Sequence, residues 1–188
     1  MDKVDKLIVL WNSTRDGEEK AFALLHKELY PCLFSYIVKM IKDEDSANDL
    51  LQDLFIKFWQ NKLRIGYILN VKAYFYKSAR SIVLNHIRST QLKQSKLDAM
   101  PVTEFEFSHE ELIIADEFDS ELKGVILNTI NKLPARQREV IHMHFFQNLE
   151  YTEIAEITGI KYQSVVNHIY RAVQVLREAS SLSKIYAA

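Results

Sequence analysis

Lys161, Gln163, Ser164, Asn167, His168 and Arg171 crowd into one short stretch near the C-terminal end of this 188-residue chain. Their chemistry is recognition rather than bond making. Gln and Asn amides match the edge of adenine, Arg pairs with guanine or clamps a phosphate, and Lys and Ser hold the backbone. Such a set works only on a rigid rod. The intervening residues supply one: Val165, Ile169, Val173 and Leu176 form an apolar stripe at helical spacing, with Ala172 beside it, on the side away from the polar residues. A shorter helical stretch precedes it from Thr152, and Gly159 lets the chain turn because glycine tolerates positive φ. The small Ala155 allows close approach of the two helices. The pattern reads as a helix-turn-helix. Its second helix, Tyr162–Glu178, is about 24 Å long at 1.5 Å per residue, enough to reach into a major groove.

A second constellation mixes aromatics with bases. In VKAYFYKSARSIVLNHIRS, Tyr74, Phe75 and Tyr76 neighbour Lys72, Lys77, Arg80 and Arg88. Rings can stack on unpaired bases while cations hold phosphates. Buried rings beneath a solvated basic face would give the same pattern, and spacing leaves both readings open. A third stretch, SANDLLQDLFIKFWQ, places Ala47, Leu50, Leu51, Leu54, Phe55 and Phe58 at three- and four-residue steps, with Trp59 adjoining. That stripe is a core face. Asp49, Gln52, Asp53 and Lys57 point mainly away from it, which by itself describes a solvated surface.

Covalent chemistry finds no support. No nucleophile elbow, phosphate loop or zinc spacing occurs. His142 and His144 are two apart and do not share a helix face. Asp43, Glu44 and Asp45 lie where a helix begins, so capping explains them. The expectation is a non-enzyme without metal or cofactor. The single cysteine, Cys32, reads as a buried thiol in a reducing cytoplasm. The N-terminal apolar run is too short for a signal peptide, and no stretch suits membrane insertion.

Four glycines and three prolines among long periodic segments predict an all-α fold. The formal net charge of -1 hides an uneven distribution. Residues 1–95 hold 15 basic and 11 acidic side chains, 96–126 hold 2 and 9, and 127–188 hold 7 and 5. Two mildly basic ends suit phosphate contact, which depends on local patches. Two small helical domains follow, over 1–95 and 119–188, joined by a flexible acidic linker over 96–118. Part of that linker could shield basic surfaces in the absence of DNA. Helices are expected near 4–12, 17–40 (broken or kinked at Pro31), 43–60 and 69–90, with a loop at 61–68. In the second domain Leu122, Val125, Ile126 and Ile130 line one helix. Pro134 opens the next, whose core is Val140, Ile141 and Phe145. The tail from Ser180 should fray or dock weakly.

The order of these blocks resembles the bacterial RNA polymerase sigma-70 family, in its small extracytoplasmic-function (ECF) class. DLLQDLFIKFWQ and AYFYKSARSIVLNHIRS resemble the family's second region, a helical bundle. LPARQREVIHMHFFQNLEYTEIAEITGI and the helix after it resemble its fourth region. The resemblance implies a sigma factor that directs core polymerase to promoters and helps open the -10 element. It implies core-polymerase contacts at Asp49, Gln52, Asp53, Phe55 and Lys57, toward the clamp helices, with the flap as a further contact. For the non-template single strand at the -10 element it implies Arg64, Tyr67, Lys72, Tyr74, Tyr76, Lys77, Arg80 and Arg88. For double-stranded promoter DNA at the -35 element it implies Lys161, Tyr162, Gln163, Ser164, Asn167, His168 and Arg171. It further implies an anti-sigma factor as regulator, and action at the cytoplasmic nucleoid or sequestration at the inner membrane. Ser81 stands where the family usually has Asn, and Asn85 where Asp is common. Val166 and His168 stand where bases are frequent. The competing readings are a helix-turn-helix regulator that never joins core polymerase, and a helical scaffold that binds no DNA.

Overall fold

The computed structural model describes residues 3–93, 105–107 and 120–186, with the side chains of 6–91, 105–107 and 123–179. The described secondary structure is entirely helical. The chain divides into two compact units, the first taking Met1–Thr103 together with Glu156–Thr158 and the second Glu104–Ala155 and Gly159–Ala188.

The first unit contains α1 (Lys3–Arg15), α2 (Glu19–Ile41), α3 (Glu44–Ile65) and α4 (Val71–Lys93). Each packs against the other three, around a core that includes Trp11, Leu25, Leu33, Tyr36, Leu51, Phe75 and Val83. The expected break at Pro31 does not occur: α2 runs through it. Proline removes one backbone hydrogen bond. The buried row Ala21, Leu25, Leu29, Leu33, Tyr36, Ile37 and Met40 lies on both sides of it, so packing holds the helix together. Cys32 is half-buried rather than buried, with its thiol donating to the Leu29 carbonyl at 3.0 Å. The acidic run at the start of α3 caps it. The Asp43 carboxylate accepts from the Asp45 and Ser46 amides at 3.1 and 3.3 Å, and from the Ser46 hydroxyl at 2.6 Å. The Ser46 bonds, hydroxyl first, lower its pKa below the ordinary value.

The second unit contains α5 (Ser120–Lys132), α6 (Ala135–Ile141), α7 (Tyr151–Thr158) up to Ala155, and α8 (Tyr162–Tyr186). Pro134 precedes α6 as its N-cap, with φ -53° and ψ 140°. Val140, Ile141, Leu149, Ile154, Ile157, Val165, Ile169 and Ala172 are buried, as are Leu127 and Ile130 of α5. Val125, Ile126, Val173 and Leu176 are half-buried, and the side chain of Leu122 lies outside the described residues. The α8 backbone continues helically through the expected tail to Tyr186.

Two expectations change here. Phe145 is exposed, not core, because α6 passes into a π-helical turn over His142–Phe146. The Gln147 amide reaches back five residues to the His142 carbonyl, at 3.1 Å. The extra residue per turn rotates Phe145 out of the register it would hold in an α-helix. The second change concerns Phe105–Phe107, read from composition as part of a flexible linker. Both phenylalanines are buried within the second unit. Residues 96–104 and 108–118 lie outside the described residues.

Candidate functional site

The 3.6-residue period of α3 resolves it into two faces. Ala47, Leu51, Leu54, Phe55 and Phe58 are buried. Asp49, Gln52, Asp53, Ile56, Lys57, Gln60, Leu63 and Arg64 are all exposed, and their spacing puts them on the opposite side. Phe55 was expected among the partner-contacting residues. The structure corrects this: its ring sits inside, against Phe22, His26 and Phe75. Ile56 takes its place on the outer face, 52% exposed between the acidic and basic ends.

The α3–α4 connection begins later than expected, because residues 61–65 complete α3. Gly66 turns the chain out with φ +76°, a conformation that L side chains rarely adopt. The Trp11 indole N–H donates to the Gly66 carbonyl at 2.9 Å, anchoring the turn to the core. Asn70 closes the loop, its side-chain carbonyl accepting from the Ala73 amide at 2.9 Å as α4 begins. Between these fixed ends Tyr67 is 79% exposed and Leu69 is 91% exposed. The Arg15 guanidinium lies 3.7 Å from the Tyr67 ring centroid, a cation–π contact that orients an otherwise solvated ring.

On α4 the aromatic-basic pattern separates cleanly. Tyr76 and Phe75 are wholly buried, so Tyr76 is corrected from a strand-binding residue to a core residue. Its hydroxyl donates to the Cys32 carbonyl at 3.3 Å, its ring packs on Tyr36, and burial raises its pKa well above the ordinary value. Tyr74 is half-buried, edge-on to Phe58. Lys77 and Arg88 are exposed, and Lys72 and Arg80 are half-buried.

In the second unit α7 and α8 form the expected helix-turn-helix. The Glu153 carboxylate accepts from the Glu150 amide at the start of α7, and Gly159 ends that helix with φ +70°. Lys161, Tyr162, Gln163, Asn167 and Arg171 are exposed; Ser164 and His168 are half-buried. The Gln163 amide donates to the Asn167 side-chain carbonyl at 3.3 Å, tying together two groups on the same face. His168 is held below its ordinary pKa, first by burial and then by the nearby Arg136 and Arg171 charges. Arg136 itself leans on Glu139, a buried carboxylate 2.6 Å away. Leu133, Pro134, Tyr170 and Val175 line an open groove of about 610 Å³ beside α8, with Arg171 at its margin.

A family model described as Sigma-70 region 2 matches residues 25–92, and one described as Sigma-70, region 4 matches 123–176. The chain belongs to the sigma-70 family. Curated relatives point to its ECF group. The RNA polymerase sigma factor SigV of Bacillus subtilis is 29% identical over 154 residues, covering 81% of this chain and 84% of that protein. The ECF RNA polymerase sigma factor RpoE of Cereibacter sphaeroides is 26% identical and covers 96% of this chain and 99% of that one. Among solved structures, the sigma factor RpoE of Bartonella quintana, in complex with the anti-sigma factor NepR, shares the fold. Its TM-score is 0.60 at 21% identity, over 85% of this chain and 96% of that one.

Within this sigma-family chain, Ile56, Leu63 and Leu69 join the exposed faces, and the half-buried Arg15 and Arg136 stand beside Tyr67 and His168, although sequence reasoning passed over all five. Leu63 and Leu69 carried a signal: large apolar residues, 74% and 91% exposed, outside the core period of their segment. Arg15 carried none, because it is brought to Tyr67 from a helix distant in sequence. Among the described residues no group of three or more His, Cys, Asp or Glu is disposed to hold a metal, and no helix is long and apolar enough to cross a membrane.

Proposed function

We propose that this chain works as a sigma factor through three surfaces. The outer face of α3, with Asp49, Gln52, Asp53 and Lys57 around Ile56, docks on the clamp helices of core polymerase. The Gly66–Asn70 loop, with Arg64 behind it and Lys72, Tyr74, Lys77, Arg80 and Arg88 along α4, takes up the non-template strand at the -10 element. Tyr67 and Leu69 offer surface to a base drawn from the stack. Unpairing costs a few kcal/mol, and stacking on a protein ring returns about 1–3 kcal/mol per base.

The exposed face of α8 reads the -35 element. The Gln163–Asn167 bond leaves one amide carbonyl and one amide N–H₂ facing outward. That pair suits an adenine edge, while Arg171 takes guanine or phosphate. His168, held below its ordinary pKa by burial and then by Arg136 and Arg171, stands on the same face as a further hydrogen-bonding group. The groove beside Tyr170 receives the polymerase flap. The chain performs no covalent chemistry. It acts at the cytoplasmic nucleoid, and an anti-sigma protein covers the same faces when it is held inactive.

The observation that carries this reading is the occurrence of region 2 and region 4, in that order, along one chain. The test is run-off transcription by purified core polymerase on genomic fragments, with and without the chain. New start sites only in its presence support the reading. DNA binding without new starts, on active core, would assign the chain to conventional regulators.

A further inference from the structure

α1 lies before the residues that the region 2 model matches, 25–92, yet it holds the loop that follows α3. Trp11 and Arg15 are four apart on this helix and so share a face. They meet consecutive residues of the loop. The Trp11 indole N–H donates to the Gly66 carbonyl at 2.9 Å, and the Arg15 guanidinium lies 3.7 Å from the Tyr67 ring centroid. Ile68 is buried, which leaves Tyr67 and Leu69 outside. The guanidinium thus covers one face of a ring that is otherwise solvated, and the opposite face is the one open to a stacking partner.

The fold does not neutralise Arg15. Among the described residues no carboxylate forms an ion pair with it, its exposed neighbour Asp16 included, and no acceptor receives a hydrogen bond from its guanidinium. Its Nε is buried with no hydrogen-bond partner, so packing on Tyr67 rather than hydrogen bonding places the group. An arginine in the last turn also suits the negative end of the helix, but a lysine would serve that purpose equally. A planar cation held over a ring, with no anion of its own, is matched to a phosphodiester. We propose that Arg15 is a strand-binding residue of the -10 site: lying against one face of Tyr67, it takes the phosphate beside the base that stacks on the other face. This rests on the sigma-factor reading, and it brings α1 into promoter opening. The two contacts are coupled, because the ring that holds the base also positions the cation that holds the phosphate.

The experiment uses holoenzyme, the full chain on core polymerase. Its probe is a fluorescent single-stranded oligonucleotide carrying the non-template -10 sequence of a promoter found by run-off transcription. Affinity is measured across a salt series. Arg15→Gln should weaken binding several-fold and make the logarithmic salt dependence shallower by about 0.7, the loss of one single-strand phosphate contact. Arg15→Lys should keep the salt dependence, since the charge remains, but bind less tightly because it lacks the planar fork. A methylphosphonate moved along the oligonucleotide should weaken wild-type binding at one position to which the Gln variant is insensitive. Thermal melting checks that each variant is folded, and Arg15→Met supplies a second uncharged side chain if the Gln variant melts early. An unchanged salt dependence in the uncharged variant overturns the proposal, whether or not affinity falls. So does a methylphosphonate profile that the variant shares with the wild type at every position. If the wild-type chain yields no run-off start, the sigma-factor reading fails and the Arg15 role with it. A wild-type holoenzyme that starts transcripts and holds the strand, beside an indistinguishable Gln variant, removes Arg15 alone.

Discussion

The two units solve the same problem, presenting a polar face from a helix, with different interiors. The first is built on rings. Trp11 stands edge-on to Phe58 and Phe75 at 6.0 and 6.1 Å, Phe58 stacks on Phe75 at 3.9 Å, and Phe55 meets Phe75 at 5.6 Å. The second is largely aliphatic beneath its helix-turn-helix, with Val140, Ile154, Val165 and Ile169 at the centre. Its buried ring cluster involves Phe105 and Phe107. Rings bury more area per residue than aliphatic side chains and constrain geometry through their edges and faces. The first unit holds a loop with two almost fully exposed apolar side chains, and its ends must be fixed. The indole of Trp11 does so directly. The second unit needs only to aim one helix, and a compact aliphatic core with a glycine turn suffices.

The sharpest way to break this comparison is Trp11→Ala. It opens a cavity in the ring core and releases the Gly66 carbonyl, at a cost of about 3–5 kcal/mol. Urea unfolding followed by the fluorescence of Trp59 should show early melting of the first unit. Promoter DNA binding by the second unit should persist. Simultaneous loss of both would mean that the units do not fold independently.

Charge reversal on the outer face of α3 comes next. Asp53→Lys should weaken association with core polymerase by at least about tenfold, since like charges facing one another across an interface cost several kcal/mol. DNA contacts of the second unit should be unchanged. Equal core affinity, measured by fluorescence anisotropy, would remove that face from the interface.

On α8, Arg171→Ala should lower affinity for -35 DNA by about 1–3 kcal/mol if it reads a base. Relaxed preference at one position identifies a base contact. A uniform loss with a shallower salt dependence identifies a phosphate contact.

The smallest effect titrates the two units separately. His26 in the first and His168 in the second are both held below the ordinary histidine value of 6.5, His26 by burial and His168 by burial and then by Arg136 and Arg171. The unfolded chain therefore binds more protons than the folded one below that pH, so each unit loses stability as pH falls through this range. Both imidazoles are half-buried, and partial solvent screening keeps the change in Tm between pH 7 and 5.5 small. His168→Gln should flatten the slope of the second unit alone, and His26→Gln that of the first. A slope untouched by either substitution would place its origin elsewhere.

Much of the molecule was legible before the fold was known, and the misses have physical reasons. The apolar stripes of α3 and α8 were readable because period 3.6 over several turns admits one buried face. The cap at Asp43 and the turn at Gly159 were readable because those residue types meet local backbone needs. Phe55 and Tyr76 were misplaced for a shared reason. Motif resemblance assigns a segment to a partner, but within the segment only the helix phase relative to the core decides which side chains face out. Phe145 failed differently, since a π-helical turn shifts phase by one residue and no local composition announces it.

Composition, periodicity and motif order by themselves determined that this chain is all-helical, that it carries two sigma-type regions, and which helices present polar faces. Those properties depend on residues close in sequence, where helical spacing links them directly. Only the tertiary structure decided that Trp11 and Arg15 support the loop after α3, that Pro31 leaves α2 unbroken, and that Phe105–Phe107 belong to the second unit. Each depends on contacts between segments far apart along the chain, which burial and hydrogen-bond satisfaction select in three dimensions.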